Sequence, residues 1–479
     1  MAVGTIWMTI DKFSFMAIQL ICTFILGRFL IPEDFGILGM LAVFTTVSLT
    51  LVEAGFPSAI IREKNVSSID YSSIFWFNIG LSILLYFILF LSSGFIAFFF
   101  HQPILKNVSR VTFLVIPISA LSLIQTAIFT KQLQFKKLCI VSLISSLVAS
   151  IIAIFSAYYL RSVWALVLQN VTTFVIKAVL LWTMTSWIPS FKFSMVSIKK
   201  YFSFSKNLLI TGLIGNIFNN IYSVFIGRFY TAADLGYYSQ ACRLNMAVSS
   251  SATSVIQSVS YPILVKVNNE GNDIKAAYKK IICVTVLFVS FIMALLMGVA
   301  FDLFELLMGD PIWRIAGTYL FIMCINGMLY PLHSINQNIL MVKGDSKTIL
   351  KLEIMRRVIM ICIIIITLHF NILVFICGNA AYSIILLFLN LYYCGRPINY
   401  KVHQQIIDII PILLRIITMV VTSLCVSTMM HDANILLRVL VSLLVCFICG
   451  VAIFWNYSYF KESLTLVKEL LRKGVQRQP

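Results

Sequence analysis

Apolar runs of about twenty residues follow one another along this chain, separated by short segments carrying Lys and Arg. A run of that length is what one helix needs to cross the ~30 Å hydrocarbon layer, and in lipid the backbone polar groups must bond within the segment. No water-soluble fold hides this much apolar surface: 60% of the 479 residues are hydrophobic and 11% are charged. The runs predict an all-α polytopic membrane protein. A first set of spans is expected at 8–30, 36–57, 74–100, 111–130, 138–160 and 163–187. A second is expected at 207–229, 236–262, 281–301, 317–341, 353–369 and 373–394, then a terminal pair at 409–430 and 435–457. That makes about fourteen spans. The stretch from His369 to Ile372 reads either as a turn or as the interior of one long helix. Met1 to Phe29 has no small-residue cleavage site and predicts the first span rather than a removed leader.

The chain also repeats itself. Gly27-Arg28-Phe29 recurs as Gly227-Arg228-Phe229, and Asp34 and Gly36 recur in the same register as Asp234 and Gly236. Apolar helix flanks the motif in both copies, and Pro57 is echoed by Pro262 after a small drift. A duplicated hydrophobic unit is characteristic of transporters built from two related bundles. An even number of spans per copy inserts both in the same direction, so the two lobes are expected to be parallel repeats about an axis along the membrane normal. The expected organisation is an N-terminal six-helix lobe (1–187) and a cytoplasmic amphipathic linker (188–206). A C-terminal six-helix lobe (207–394), a terminal helix pair (395–457) and a cytoplasmic tail (458–479) follow. The linker, with Phe191, Phe193, Tyr201, Phe202 and Phe204 among its Lys residues, suits a helix lying at the membrane surface.

The net charge of +18 belongs to this membrane reading rather than to nucleic-acid binding, because the basic residues are dispersed between apolar runs. Most of the 36 Lys and Arg fall in the even-numbered loops and the tail. Lys131, Lys136 and Lys137 are examples, and Lys343, Lys347, Lys351, Arg356 and Arg357 count toward the same face. The positive-inside rule makes these loops and both termini cytoplasmic.

Several chemistries have no motif. There is no GxxxxGK[ST] phosphate loop, no HExxH and no GxSxG, and the outer loops are short. These facts count against an ATPase and against a membrane glycosyltransferase, polymerase or ligase. The 11 Cys lie singly in apolar segments, apart from Cys446 and Cys449, and nothing near that pair completes a metal site. No catalytic residue, metal or cofactor is expected.

Short hairpin motifs resemble a known family. Ile31-Pro32-Glu33-Asp34-Phe35-Gly36 is followed by Glu53-Ala54-Gly55-Phe56-Pro57 and Ile61-Arg62-Glu63-Lys64. Phe75-Trp76-Phe77-Asn78, Trp187-Ile188-Pro189, Leu235-Gly236-Tyr237-Tyr238-Ser239 and the opening Ile10-Asp11-Lys12-Phe13 extend the match. The chain resembles the polysaccharide exporters of the multidrug/oligosaccharidyl-lipid/polysaccharide flippase superfamily, the branch with colanic-acid and O-antigen unit flippases. The resemblance implies two lobes forming a V. It also implies transfer of a lipid-linked oligosaccharide, on undecaprenyl diphosphate, across the bacterial inner membrane for capsule, exopolysaccharide or O-antigen assembly. Membrane lipids and polysaccharide polymerase machinery would be its partners. A drug or cation antiporter of the same superfamily is the alternative, and coupling to a proton, a sodium ion or the membrane potential is left open.

Ionisable residues inside spans are expensive and therefore informative. Lys177 lies mid-span in the sixth helix, facing either a cavity or a partner on another helix. Arg243 continues a polar face through Gln240, Ser250, Ser254, Gln257 and Tyr261, for cavity lining or for helix contact. The tenth span carries Asn326, Tyr330, His333 and Gln337 at helical spacing, with His333 able to titrate near neutrality. Asn216, Asn219 and Asn220 share a face, for sugar hydroxyls or for joining helices. Asp11, Lys12 and Glu53 fall near the cytoplasmic interface. Arg28 with Asp34 and Arg228 with Asp234 are expected as ion pairs closing their hairpins.

Overall fold

A computed structural model describes residues 2–455 of the chain. The expected cytoplasmic tail, 458–479, and the last two residues of the terminal pair lie outside the described residues. Among the described residues the fold is helical throughout, with no strand. In chain order the helices are α1 Ala2–Leu26, α2 Pro32–Glu53, α3 Phe56–Arg62, α4 Ser68–Leu91, α5 Ser93–Phe99 and α6 Leu105–Thr112. Next come α7 Val115–Lys131, α8 Phe135–Leu160, α9 Trp164–Met184, α10 Met195–Phe229, α11 Ala232–Asn269 and α12 Ile274–Met308. The last are α13 Arg314–Val342, α14 Ser346–Thr367, α15 Ile372–Gly395, α16 Val402–Met429 and α17 Ile435–Phe454.

Among the described residues, 12 helical segments are long and apolar enough to cross a membrane, and the chain is a multi-pass membrane protein. Two of the expected spans are helices that fall short on apolarity. In α11 a run of Ser, Asn and Gln dilutes the hydrophobic residues, and in α14 the first half holds Lys351, Glu353, Arg356 and Arg357. The doubtful region near His369 is a turn: Asn371 caps α15 by accepting from the Val374 amide at 3.0 Å. Residues 195–206, expected within a separate linker, are instead the first turns of α10, unbroken into the seventh span.

The chain forms two compact units, Met1–Ser239 and Gln240–Pro479, the second described to residue 455. The division falls inside α11, because α10 packs on α2, α3 and α4 of the first unit. In that unit Phe56, Ile60, Ile74, Phe75 and Ile124 form a core, edged by Trp76, Trp182 and Trp187. The segment before α10 is fastened to α4. The Ser190 amide donates to Ser72 Oγ at 3.0 Å and the Ser194 amide to Ser73 Oγ at 2.8 Å. Trp76 Nε1 donates to the Ser190 carbonyl at 2.9 Å and its ring stacks on Phe191.

The repeated residues meet inside this first unit. Gly36 of α2 faces the Ala232 carbonyl and the Gly236 amide of α11, and Gly236 faces the Pro32 backbone. The two helix starts therefore cross backbone to backbone, where any side chain would collide. Both starts also use the repeated aspartate in the same way. Asp34 Oδ2 accepts from the Ile31 amide at 3.3 Å, and Asp234 Oδ2 accepts from the Thr231 amide at 3.2 Å.

In the second unit α16 and α17 are seated on α12 through small residues. Ser423 Oγ reaches the carbonyls of Gly298 and Ser442, both at 3.2 Å, and the Cys446 thiol points at the Ala294 carbonyl. A buried ion pair, Arg438 Nη1 to Asp302 Oδ1 at 3.0 Å, ties α17 to the far end of α12, and Arg314 reaches the same carboxylate at 3.6 Å.

Candidate functional site

Helix α9 has no acid of its own, so Lys177 must find its compensation on other helices. It lies within coulombic range of Asp11 on α1 and Glu53 on α2. Asp11 also lies beside Ser142 and Cys139 of α8. Glu53 is the last residue of α2, where Ala54 and Gly55 turn left-handed (φ 44° and 70°) and release the chain into α3. That break leaves the Glu53 side chain exposed rather than wedged between helices. Helices α1, α2 and α9 thus bring together two carboxylates and one ammonium, a group expensive in lipid unless it is paired or hydrated. Lys12, the neighbour of Asp11, points away and is exposed.

The asparagines of α10 divide. Asn216 Nδ2 donates to Thr50 Oγ1 at 2.6 Å, and Asn220 Nδ2 donates to Thr46 Oγ1 at 3.2 Å and to the Asn216 carbonyl at 2.8 Å. These two bonds are rungs between α10 and α2, the helix-joining alternative. Asn219 is exposed.

Of the repeated arginines, Arg228 donates through Nη1 to the His101 ring and lies over Phe99, while Arg28 is exposed at the end of the first hairpin. The bonds of Asp34 and Asp234 to the amides of Ile31 and Thr231 make both carboxylates caps of the helices that follow them.

In the second unit Arg243, Ser254, Gln257 and Tyr261 are exposed on α11, while Gln240 is buried at its start. The opposite face of α11 is also polar and holds the unit together. Asn245 Nδ2 donates to the Met323 carbonyl, and Asn338 Nδ2 donates to Ser260 Oγ at 3.1 Å.

The polar face of α13 leads into a network. His333 Nδ1 meets Asn390 Nδ2 of α15 at 2.8 Å, and Gln337 Nε2 donates to Glu353 Oε1 of α14 at 2.9 Å. Arg356 closes the chain, with Nη1 on Glu353 Oε1 at 2.7 Å and Nη2 on Asn390 Oδ1 at 2.8 Å. Asn326, three turns before Gln337, is half-buried. Glu353, Arg356 and Asn390 are absent from the sequence-based site. Arg356 and Arg357 count there as loop charges, yet both belong to the interior of α14. The i, i+3, i+4 spacing of Glu353, Arg356 and Arg357 is the signal that finds them.

A model of a family described as polysaccharide biosynthesis protein matches residues 25–316. Over 343 residues the chain is 25% identical to the teichuronic acid biosynthesis protein TuaB of Bacillus subtilis (strain 168), covering 71% of each chain. Over 373 residues it is 21% identical to the lipopolysaccharide biosynthesis protein WzxC of Escherichia coli (strain K12), covering 76% of this chain and 74% of that one. Among solved structures it aligns with the lipid II flippase MurJ at a TM-score of 0.72 and 13% identity, over 95% of this chain and 99% of that one, a likeness of fold. With more than half its length matched by the family model, the chain belongs to this family of polysaccharide biosynthesis proteins.

Proposed function

We propose that the chain is a flippase, carrying a polyprenyl-diphosphate-linked oligosaccharide from the cytoplasmic to the periplasmic leaflet of the bacterial inner membrane by alternating access. The observation that carries this reading is membership of a polysaccharide biosynthesis family by a chain whose described part is membrane-spanning helix. Relatives named for teichuronic acid and lipopolysaccharide biosynthesis, and a fold shared with a lipid II flippase, support it. Both termini are placed in the cytoplasm, and the chain works upstream of polymerase machinery without catalysing a reaction itself.

The chemistry follows from the charges. A diphosphate cannot cross lipid bare, so it needs a hydrated path with cations along it. Lys177 is the chosen cation of the first unit. Without cargo its charge is balanced by Asp11 and Glu53, and an arriving phosphate takes their place. Arg243, Gln257, Asn219, Asn326, His333 and Gln337 supply further polar contacts, and the carboxylates freed by the cargo are where a coupling proton or sodium ion would bind.

Gene deletion followed by extraction of lipid-linked sugars from each leaflet tests this. A complete repeat unit held on the cytoplasmic leaflet, and released by the wild-type gene, is the expected result. Incomplete units on the periplasmic side would indicate an assembly enzyme. An unchanged lipid-sugar profile would favour a small-molecule antiporter.

A further inference from the structure

The α13–α14–α15 network of the second unit has hydrogen-bonding capacity that its own members leave unused. Two buried nitrogens, Nε of Arg356 and Nε2 of His333, make no hydrogen bond. The Asn390 amide donates to His333 Nδ1, so the ring hydrogen resides on Nε2 and both unfilled atoms are donors. Buried donors are almost always satisfied in folded proteins, and two unfilled donors on one network are free to take an acceptor from outside it. The single carboxylate of Glu353 faces two guanidinium groups, Arg356 at 2.7 Å and Arg357 at 3.7 Å. One edge of it is reachable: the Arg356 side chain is 12% exposed, whereas those of Arg357 and Glu353 are 30% and 39% exposed. Charges placed this way inside a helix bundle of a membrane protein are costly to keep and are retained for function.

We propose that this network binds an oxyanion of the cargo head group, a phosphate or a carboxylate, with Arg356 Nε and His333 Nε2 as donors and Glu353 as the group the anion displaces. The proposal rests on the flippase reading and adds a second anion site, in the other unit from Lys177. Glu353 masks the arginines when the site is empty, and a ligand of the same charge competes with it. The consequence is a sign that a purely structural network does not produce: neutralising Glu353 strengthens anion binding, while neutralising Arg356 weakens it.

The test uses the full-length chain in nanodiscs. The probes are undecaprenyl diphosphate, a phosphate-free glycolipid bearing glucuronate, and undecaprenol as the uncharged control. The expected result is that one charged probe binds, that Arg356→Gln weakens it at least ~10-fold through loss of a charge-assisted hydrogen bond, and that Glu353→Gln tightens it. The probe that responds identifies the source of the oxyanion, the carrier diphosphate or an acidic sugar. Unchanged binding in both variants, or weakening by Glu353→Gln in step with Arg356→Gln, overturns the site while leaving the flippase reading in place. Failure of the wild-type chain to bind either charged probe counts against the flippase reading itself. Should Arg356→Gln not fold, the sign of the Glu353→Gln change decides alone.

Discussion

The crossing of α2 and α11 at Gly36 and Gly236 makes a steric prediction with its own controls. A methyl group on Gly36 would stand 2.7 Å from the Ala232 carbonyl carbon and would overlap its oxygen. On Gly236 it would stand 2.6 Å from the Pro32 carbonyl carbon. Carbon atoms in good contact lie ~3.5 Å apart or more, so either alanine forces the two backbones apart by at least ~0.8 Å, and further where the carbonyl oxygen overlaps. Backbone cannot turn to another rotamer, so the strain must be taken up by moving a whole helix start. Overpacking of this kind costs about 1–3 kcal/mol, against a gain of about 1 kcal/mol when Ala replaces Gly in a helix. Two glycines of the same unit separate these terms. At Gly39 the methyl would meet only the end of the Leu235 side chain at 3.3 Å, and at Gly80 it would meet nothing within 4 Å. Heat denaturation of the detergent-purified variants should therefore rank Gly80→Ala at or above wild type, Gly39→Ala near it, and Gly36→Ala and Gly236→Ala clearly below. Export should fail in the last two before it fails in the others. Equal stability of Gly36→Ala and Gly80→Ala would refute the close crossing.

The charges and rungs make further predictions. Lys177→Ala and Arg243→Ala should each stop transfer of lipid-linked sugar to the outer leaflet while the amount of protein in the membrane stays at the wild-type level. Normal export by both variants would remove them from the conducting path. Asn216→Leu removes the bond from α10 to Thr50 and should lower thermal stability by ~0.6 kcal/mol and at most ~1.7 kcal/mol, the range for hydrogen bonds between membrane helices. A stability gain would show that α2 and α10 are held by apolar contact alone. Arg438→Met leaves Asp302 buried with the Ser427 hydroxyl bond and the longer contact to Arg314 but without its near cation, and should cost about 3–5 kcal/mol in denaturant unfolding. Adding Asp302→Asn should recover most of that loss, and absence of recovery would mean that Arg438 acts through packing.

The spans were legible because lipid imposes one constraint on every segment, about twenty apolar residues, and local composition reports it. The places where that reading blurs have physical causes. Helix α10 runs on from Met195 because nothing between 195 and 206 breaks a helix, and of its aromatic residues expected at a membrane surface Tyr201 is buried against the first unit's core while Phe202 and Phe204 stay exposed. Helix α14 hides its role because its charges look like loop charges when counted along the chain. Site residues were legible in the same limited way. Periodicity is a property of one helix, so it found the stripe through His333 and Gln337 and the pair Asn216 and Asn220. It could not find their partners, which lie 16 residues away for Gln337, 57 for His333 and 166 for Asn216.

One clue to such partners remains in the sequence. In a membrane helix each polar side chain must be matched, so a polar stripe on one helix implies another elsewhere. The stripe on α13 contains His333, Asn326 and Gln337 but no charge, whereas Glu353, Arg356 and Arg357 form a charged face on α14. Two incomplete stripes on neighbouring helices are more economical together than apart, since each supplies what would otherwise be an unsatisfied group in a low-dielectric medium. The structure joins them through Glu353 and Asn390, and the donors still unfilled there belong to the two residues, His333 and Arg356, that the join brings onto a single asparagine.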